Sequence, residues 1–221
     1  MTGFLENKRA CLFDMDGTLI DSESIWQEAI RDALAQRGVP LSIGQVAHLE
    51  YGRAWNEIFA EIHSRWPDAY ATREAMEAVT VPYFKRTVRS RDIAIPGSVE
   101  ALKALHAMGH SIAIASGSTR ERIGDTIAQL GIADCVECYV GGGDYARGKP
   151  EPDCFLAAAE LLCVRPADCV VFEDAETGIL AAKAAGMYCV ALDTGHEKNL
   201  DKADIVVKNL LDVLKNGYFS S

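Results

Sequence analysis

No stretch of this chain stays apolar for the roughly 20 residues that a membrane-crossing helix requires, so no membrane role is expected. Positive charge is scarce: 22 Lys and Arg stand against 32 Asp and Glu, a formal net charge of −10. A protein that grips nucleic acid by its phosphates carries the opposite sign, so no nucleic-acid partner is expected. Repeats and low-complexity tracts are missing, which excludes stacked-repeat architectures. Zinc spacing is missing as well. Cys135 and Cys138 form one C-x-x-C, but no second Cys or His pair lies at ligand spacing. The seven Cys residues therefore read mostly as buried thiols of a reducing compartment. The opening stretch MTGFLENKRACLFD bears charges where a secretion signal needs an apolar centre. The cytoplasm is the expected location, and a monomer the expected state.

What is present suits a packed core. Apolar residues make up 49% of 221, enough for one generous domain or a core with a small insert. Ala10-Cys11-Leu12-Phe13 is a short apolar run that stops at Asp14 and reads as a buried strand. Over residues 21–37 apolar side chains fall at Ile25, Trp26, Ala29, Ile30, Ala33 and Leu34, which is helical spacing, and Gly38-Val39-Pro40 closes it. Further helical patterns follow at residues 42–50, 54–65 and 69–90. After Ile95-Pro96-Gly97 the pattern changes to strands alternating with helices. Strands are expected at residues 112–115, 138–140, 169–172, 188–192 and 205–207, with helices between them. That alternation implies parallel crossovers: an α/β fold with a doubly wound, mainly parallel sheet. Residues 21–93 then form an inserted all-helical domain, and residues 1–20 with 94–221 form the α/β core.

Ligands of such sheets sit beyond the carboxyl ends of the strands. Here those ends carry Asp14-Met15-Asp16, Ser116 and Glu173-Asp174, with Lys149 in a nearby loop. Two aspartates two residues apart can face the same side of a strand end, where their charges repel. A divalent cation resolves the conflict. It leaves Asp14 ionised as ligand and nucleophile and lets Asp16 carry a proton as general acid. Gly17 allows a tight turn away from the site. Glu173 and Asp174 add oxygen ligands of the kind Mg2+ prefers; the lesser alternative for Asp174 or Glu176 is a helix N-cap with an acidic first turn. Lys149 sits between stiffening prolines in Gly148-Lys149-Pro150-Glu151-Pro152, a mount suited to meeting a phosphate oxygen. On its own it also reads as a solvated surface lysine. Ser116, with Gly117 and Ser118 opening the next helix, can offer a hydroxyl and backbone N–H groups to phosphate. The run Gly141-Gly142-Gly143 reads as a flexible loop and His196 as a loop histidine.

Taken in order, these segments resemble the haloacid dehalogenase superfamily in its phosphatase branch. D-x-D-G-T is Asp14 to Thr18, the apolar strand ending in a hydroxyl is Ile112 to Ser116, Lys149-Pro150 follows, and Val170 to Asp174 ends in two acids. The resemblance spans nearly the whole core. It implies a Rossmann-like core with a small helical cap, as in the β-phosphoglucomutase-like group. By position, it makes Asp14 the nucleophile and Asp16 the acid/base. Ser116 and Gly117 then bind the transferred phosphoryl, and Lys149 orients Asp14 and neutralises charge. Mg2+ is implied at Asp14, the Asp16 carbonyl and Asp174, with Glu173 acting through water. The implied substrate is a small phosphorylated metabolite, with a sugar phosphate as the leading expectation. Trp26, Tyr51, Gly52, Arg53 and Trp55 are candidate cap contacts.

Mutases of this group carry a His twelve positions after the nucleophile, where this chain has Trp26, and they often lack the Thr found here at Thr18. Both departures favour hydrolysis over a sugar phosphomutase. A fold-conserving binding protein without activity is the alternative of another class, and the intact set of acids argues against it.

Overall fold

The computed structural model describes residues 5, 7–50, 55–195 and 199–219. Tyr51, Gly52, Arg53 and His196 lie outside the described residues. The first apolar run forms β1 (Ala10–Phe13), every residue of which is buried. A strand covered on both faces has no reason to alternate apolar with polar, and this one does not. Helices α1 (Ser22–Ala35), α2 (Ile43–Glu50), α3 (Trp55–Arg65) and α4 (Arg73–Ser90) follow. Then come α5 (Ser98–Ala107), β2 (Ser111–Ala115), α6 (Arg120–Leu130), β3 (Cys138–Val140) and α7 (Asp153–Leu161). The chain continues through β4 (Cys169–Glu173), α8 (Glu176–Ala184), β5 (Tyr188–Leu192), β6 (Ile205–Val207) and α9 (Asp212–Lys215).

The six strands form one sheet in the order β3-β2-β1-β4-β5-β6, and every pairing is parallel. The doubly wound sheet expected from the strand–helix alternation is the one observed. From β1 the chain winds outward through β2 to β3, then returns to the opposite side of β1 as β4. The winding therefore reverses at β1, which is where open sheets of this kind leave a crevice at their carboxyl ends. Leu12 and Val171 of the sheet pack with Phe155 of α7 and Ile179 of α8 in one buried cluster. Burying a Phe or Leu side chain is worth about 1.5–3 kcal/mol. That apolar layer offsets the cost of holding acids at the strand tips.

The chain divides into two compact units, Met1–Asp21 with Ala94–Ser221 and Ser22–Ile93. The helical unit has its own core, in which Ile30 and Leu34 of α1 meet Val46 and Leu49 of α2, Ile62 of α3 and Met76 of α4. The helical spacing in α1 thus identified its buried side. Most element ends fall within two residues of the sequence expectation, and one lies further off. α4 begins at Arg73 rather than at residue 69, because Thr72 Oγ1 caps it by accepting the Ala75 N–H at 3.2 Å. Tyr70 lies in the preceding turn, with its hydroxyl donating to Ala33 O at 2.9 Å. A short 3-10 turn at Pro166–Asp168, not anticipated, leads into β4. Among the described residues no helix is long and apolar enough to cross a membrane.

Candidate active site

Asp14 is the first residue beyond β1, yet its backbone still belongs to the sheet: its N–H donates to Phe172 O at 2.9 Å. Ser116 is held likewise, its N–H donating to Val140 O at 3.0 Å. Phe13 is level with Ile114 of β2 and Phe172 of β4. One step further along, Asp14 comes beside Ala115 and Glu173. Register alone therefore brings residues from distant parts of the chain to one place.

Lys149 joins them. Its ammonium donates to Asp14 Oδ1 at 2.5 Å, to Glu173 Oε1 at 2.7 Å and to Ala115 O at 3.4 Å. The Nζ also lies 4.8 Å from the centre of the Phe155 ring. Burial on its own would lower the Lys149 pKa, but the Asp14 and Glu173 carboxylates outweigh it and hold the ammonium well above its usual value. The other Glu173 oxygen accepts the backbone N–H groups of Asp174 and Ala175, both at 2.8 Å. Glu173 is thus fixed on both sides and in turn anchors Lys149.

Asp174 completes the acidic group. Its Oδ1 accepts the Thr18 hydroxyl at 3.1 Å, and both residues are buried. A Cβ on Gly17 would stand 2.3 Å from Asp174 Oδ2, and Gly17 has φ +90°, so only glycine fits this turn. Ligand oxygens of Asp14, Glu173 and Asp174 all lie within 4.8 Å of one another. With all three acids ionised, three buried carboxylates against one ammonium would leave a local charge of −2. Burial pushes the Asp14 carboxyl well above the usual carboxylate range; Lys149 opposes this, while Glu173, Asp174 and Asp16 reinforce it. An all-oxygen donor set with that surplus charge fits a hard divalent cation such as Mg2+.

Asp16 faces a different set of partners. Its Oδ2 accepts the Ser118 hydroxyl at 2.9 Å and the Ser116 hydroxyl at 3.4 Å, and its Oδ1 accepts Arg122 Nη2 at 2.5 Å. Ser116 Oγ in turn accepts the Ser118 N–H at 3.1 Å. Gly117 lies exposed between the two serines. The glycine run beyond β3 is more than a loop. Gly142 donates its N–H to Ser118 O at 2.8 Å, and a Cβ on it would stand 2.7 Å from Gly117 O. The run lets one backbone lie directly against the Ser116–Ser118 turn.

The structure thus brings Asp14, Lys149, Glu173 and Asp174 together, with Asp16, Ser116 and Gly117 at the adjoining strand tips. Trp26 belongs to the helical unit, where its ring stacks on Phe84 at 4.2 Å and tilts against Trp55 at 5.5 Å. Trp55 Nε1 donates to Glu77 Oε1 at 2.6 Å. Gly52 and Arg53 lie outside the described residues. Sequence reasoning passed over the contacts of Thr18, Arg122 and Gly178. A Cβ on Gly178 would stand 1.7 Å from Glu173 Oε1. Thr18 carried a signal as part of the D-x-D-G-T segment, and Arg122 carried one as a cation in the first turn of a helix.

Residues 8–186 match the haloacid dehalogenase-like hydrolase family. Among curated proteins, the chain is 32% identical to validoxylamine A 7'-phosphate phosphatase of Streptomyces hygroscopicus subsp. limoneus, over 93% of this chain and 95% of that one. It is also 32% identical to the fructose-1-phosphate phosphatase YqaB of Escherichia coli, over 84% of this chain and 96% of that one. Among solved structures, a putative β-phosphoglucomutase from Thermotoga maritima superposes with a TM-score of 0.81 at 27% identity, covering 94% of this chain and 99% of that one. On the shared sequence, the parallel sheet and the acids at its strand tips, this chain belongs to the haloacid dehalogenase-like hydrolase family, in its phosphatase branch.

Proposed function

We propose that this protein is a Mg2+-dependent phosphatase that hydrolyses a small phosphorylated metabolite, a sugar phosphate, through an aspartyl-phosphate on Asp14. One observation carries the reading. Asp14 is buried, is held by the Lys149 ammonium at 2.5 Å, and stands within 4.8 Å of two further buried carboxylates. In the first half-reaction an Asp14 oxygen attacks phosphorus in line while the bond to the leaving oxygen breaks. Asp16 gives its proton to that oxygen. Ser116 Oγ and the Gly117 N–H bind phosphoryl oxygens, and Lys149 balances their charge. In the second half-reaction the ionised Asp16 takes a proton from water, which attacks phosphorus and frees Asp14. Mg2+, when bound by Asp14, Asp174 and the Asp16 carbonyl, with Glu173 acting through water, supplies further positive charge for the transferring group.

The relative named for fructose 1-phosphate supports a sugar phosphate as substrate. The helical unit is read as the cap that selects it, with Trp26, Gly52 and Arg53 as candidate contacts. Hydrolysis is favoured over phosphoryl transfer to a second sugar. The position at which mutases of the group carry a His is Trp26, and an indole N–H only donates, so it cannot take a proton from a sugar hydroxyl.

The test is a panel of phosphorylated metabolites assayed for phosphate release with Mg2+ and after chelation, beside Asp14→Asn. Release should require the metal and disappear in the variant. Asp16→Asn should lose turnover by about 10²–10⁴-fold yet still become phosphorylated slowly. Turnover that survives chelation, or that remains near normal in Asp14→Asn, sinks the proposal. A chain that binds panel members without cleaving any of them is a binding protein.

A further inference from the structure

Arg122 stands where helix physics disfavours a cation. It is the third residue of α6, and the N-terminal end of a helix already carries partial positive charge. Its backbone fits the place well, since its N–H donates to Thr119 Oγ1 at 3.3 Å. Its side chain goes against that charge preference, as does that of Arg120, which pairs with Asp144 at 2.7 Å. The Arg122 guanidinium turns toward the strand tips and meets Asp16 Oδ1 at 2.5 Å. Ser118 meets the other oxygen at 2.9 Å.

Asp16 needs such support more than Asp14 does. The Asp14 side chain is 9% exposed, whereas those of Asp16 and Arg122 are 30% and 29% exposed. A half-exposed carboxylate is not confined to one rotamer by close packing, and water competes for its oxygens. Donors on both oxygens fix its plane. The Ser116 hydroxyl at 3.4 Å places that plane beside the group assigned to the phosphoryl oxygens. General acid catalysis requires the carboxyl within hydrogen-bond reach of the leaving oxygen. A misplacement of about 1 Å can cost about 100-fold in rate.

We propose that Arg122 is a positioning residue: by holding Asp16 Oδ1 it aims Oδ2, the oxygen that carries the proton in the first half-reaction, at the leaving oxygen, while the Ser118 hydroxyl beside Oδ2 turns from donor to acceptor. The proposal rests on the phosphatase reading above and extends it to a residue outside the motifs that carried that reading. A planar guanidinium sets orientation in a way that a lysine point charge does not.

The test uses substituted phenyl phosphates that differ only in the acidity of the departing phenol. A 4-nitrophenolate leaves with little protonation, while an unsubstituted phenolate depends on it more. The parameter kcat/KM reports the step in which the leaving group departs, so hydrolysis of the aspartyl-phosphate, common to all esters, does not enter. For Arg122→Met the loss in kcat/KM should grow along the series, reaching about 10–100-fold with phenyl phosphate and several-fold less with 4-nitrophenyl phosphate. Arg122→Lys should restore only part of it, and Ser118→Ala should steepen the series in the same sense. A loss of equal size on every ester assigns Arg122 a merely structural role and overturns the proposal, as does no loss at all. If Arg122→Met does not fold, Arg122→Lys and Ser118→Ala carry the same comparison. A wild type inactive on aryl and metabolite esters alike, or an active Asp14→Asn, is instead a failure of the phosphatase reading, and the proposal falls with it.

Discussion

Thr18 donates its hydroxyl proton to Asp174 at 3.1 Å inside the protein, where no water competes. Hydrogen bonds of this kind orient a metal ligand, and removing one typically weakens metal affinity by about 10–100-fold. Thr18→Val keeps the shape and deletes the donor. The Mg2+ concentration for half-maximal activity should rise at least about 10-fold, with a stability loss of about 1 kcal/mol, measured by metal titration and denaturant unfolding. An unchanged metal requirement would remove Asp174 from the ligand set. The positions of Asp14, Ser116, Glu173 and Asp174 were legible in the sequence because each interrupts an apolar run at a strand end. Lys149 was legible only in their company. The contact of Arg122 was not, since its partner Asp16 lies 106 residues away. Gly178 was not legible either, because its lack of a side chain matters only once Glu173 is seen against it.

Among the elements, periodicity located the helices and strands, and local chemistry set their ends. The start of α4 shows the difference: the apolar pattern runs back to residue 69, but the Thr72 cap decides where the helix begins. Glu50, the last residue of α2, shows what no pattern reveals. Burial raises its pKa to about 7, with the Gln27 side chain opposing and Glu23 adding to the rise. An acid whose pKa is higher folded than unfolded holds more protons in the native state between the two values. Its contribution is therefore fully present below the unfolded value of 4.5 and fades as pH rises through about 7. The Glu50 contribution should fall by roughly 1–3 kcal/mol across that window, partly offset by His110, whose burial lowers its pKa and adds stability as pH rises. Glu50→Gln should flatten the decline and be the more stable form above pH 7, as read from thermal melts in a pH series. Wild-type and Glu50→Gln profiles that run parallel across the same window would contradict the burial argument.

For the whole molecule, three acids crowded around one ammonium at the strand tips are a standing cost that the apolar core offsets. Removing one acid should relieve it. In chelator, Asp174→Asn should melt at a higher temperature than wild type. In saturating Mg2+ the order should reverse, because a bound ion stabilises only the form that holds it, by about 2.7 kcal/mol at 100 times its Kd. Melting curves of both proteins with and without Mg2+ check this, and equal Mg2+ shifts would place the ion elsewhere. The doubly wound sheet itself was fully legible, since strands alternating with helices leave few other topologies. The sheet order also has a consequence for how the chain is assembled. β1 is made first, yet its neighbours in the sheet are β2 and β4, which begin at Ser111 and Cys169. During synthesis the strand that leads into Asp14 must therefore wait, unpaired, while the contiguous residues 22–93 can already pack upon themselves. Asp14 leaves the ribosome well before Lys149, Glu173 and Asp174, the residues that come to surround it.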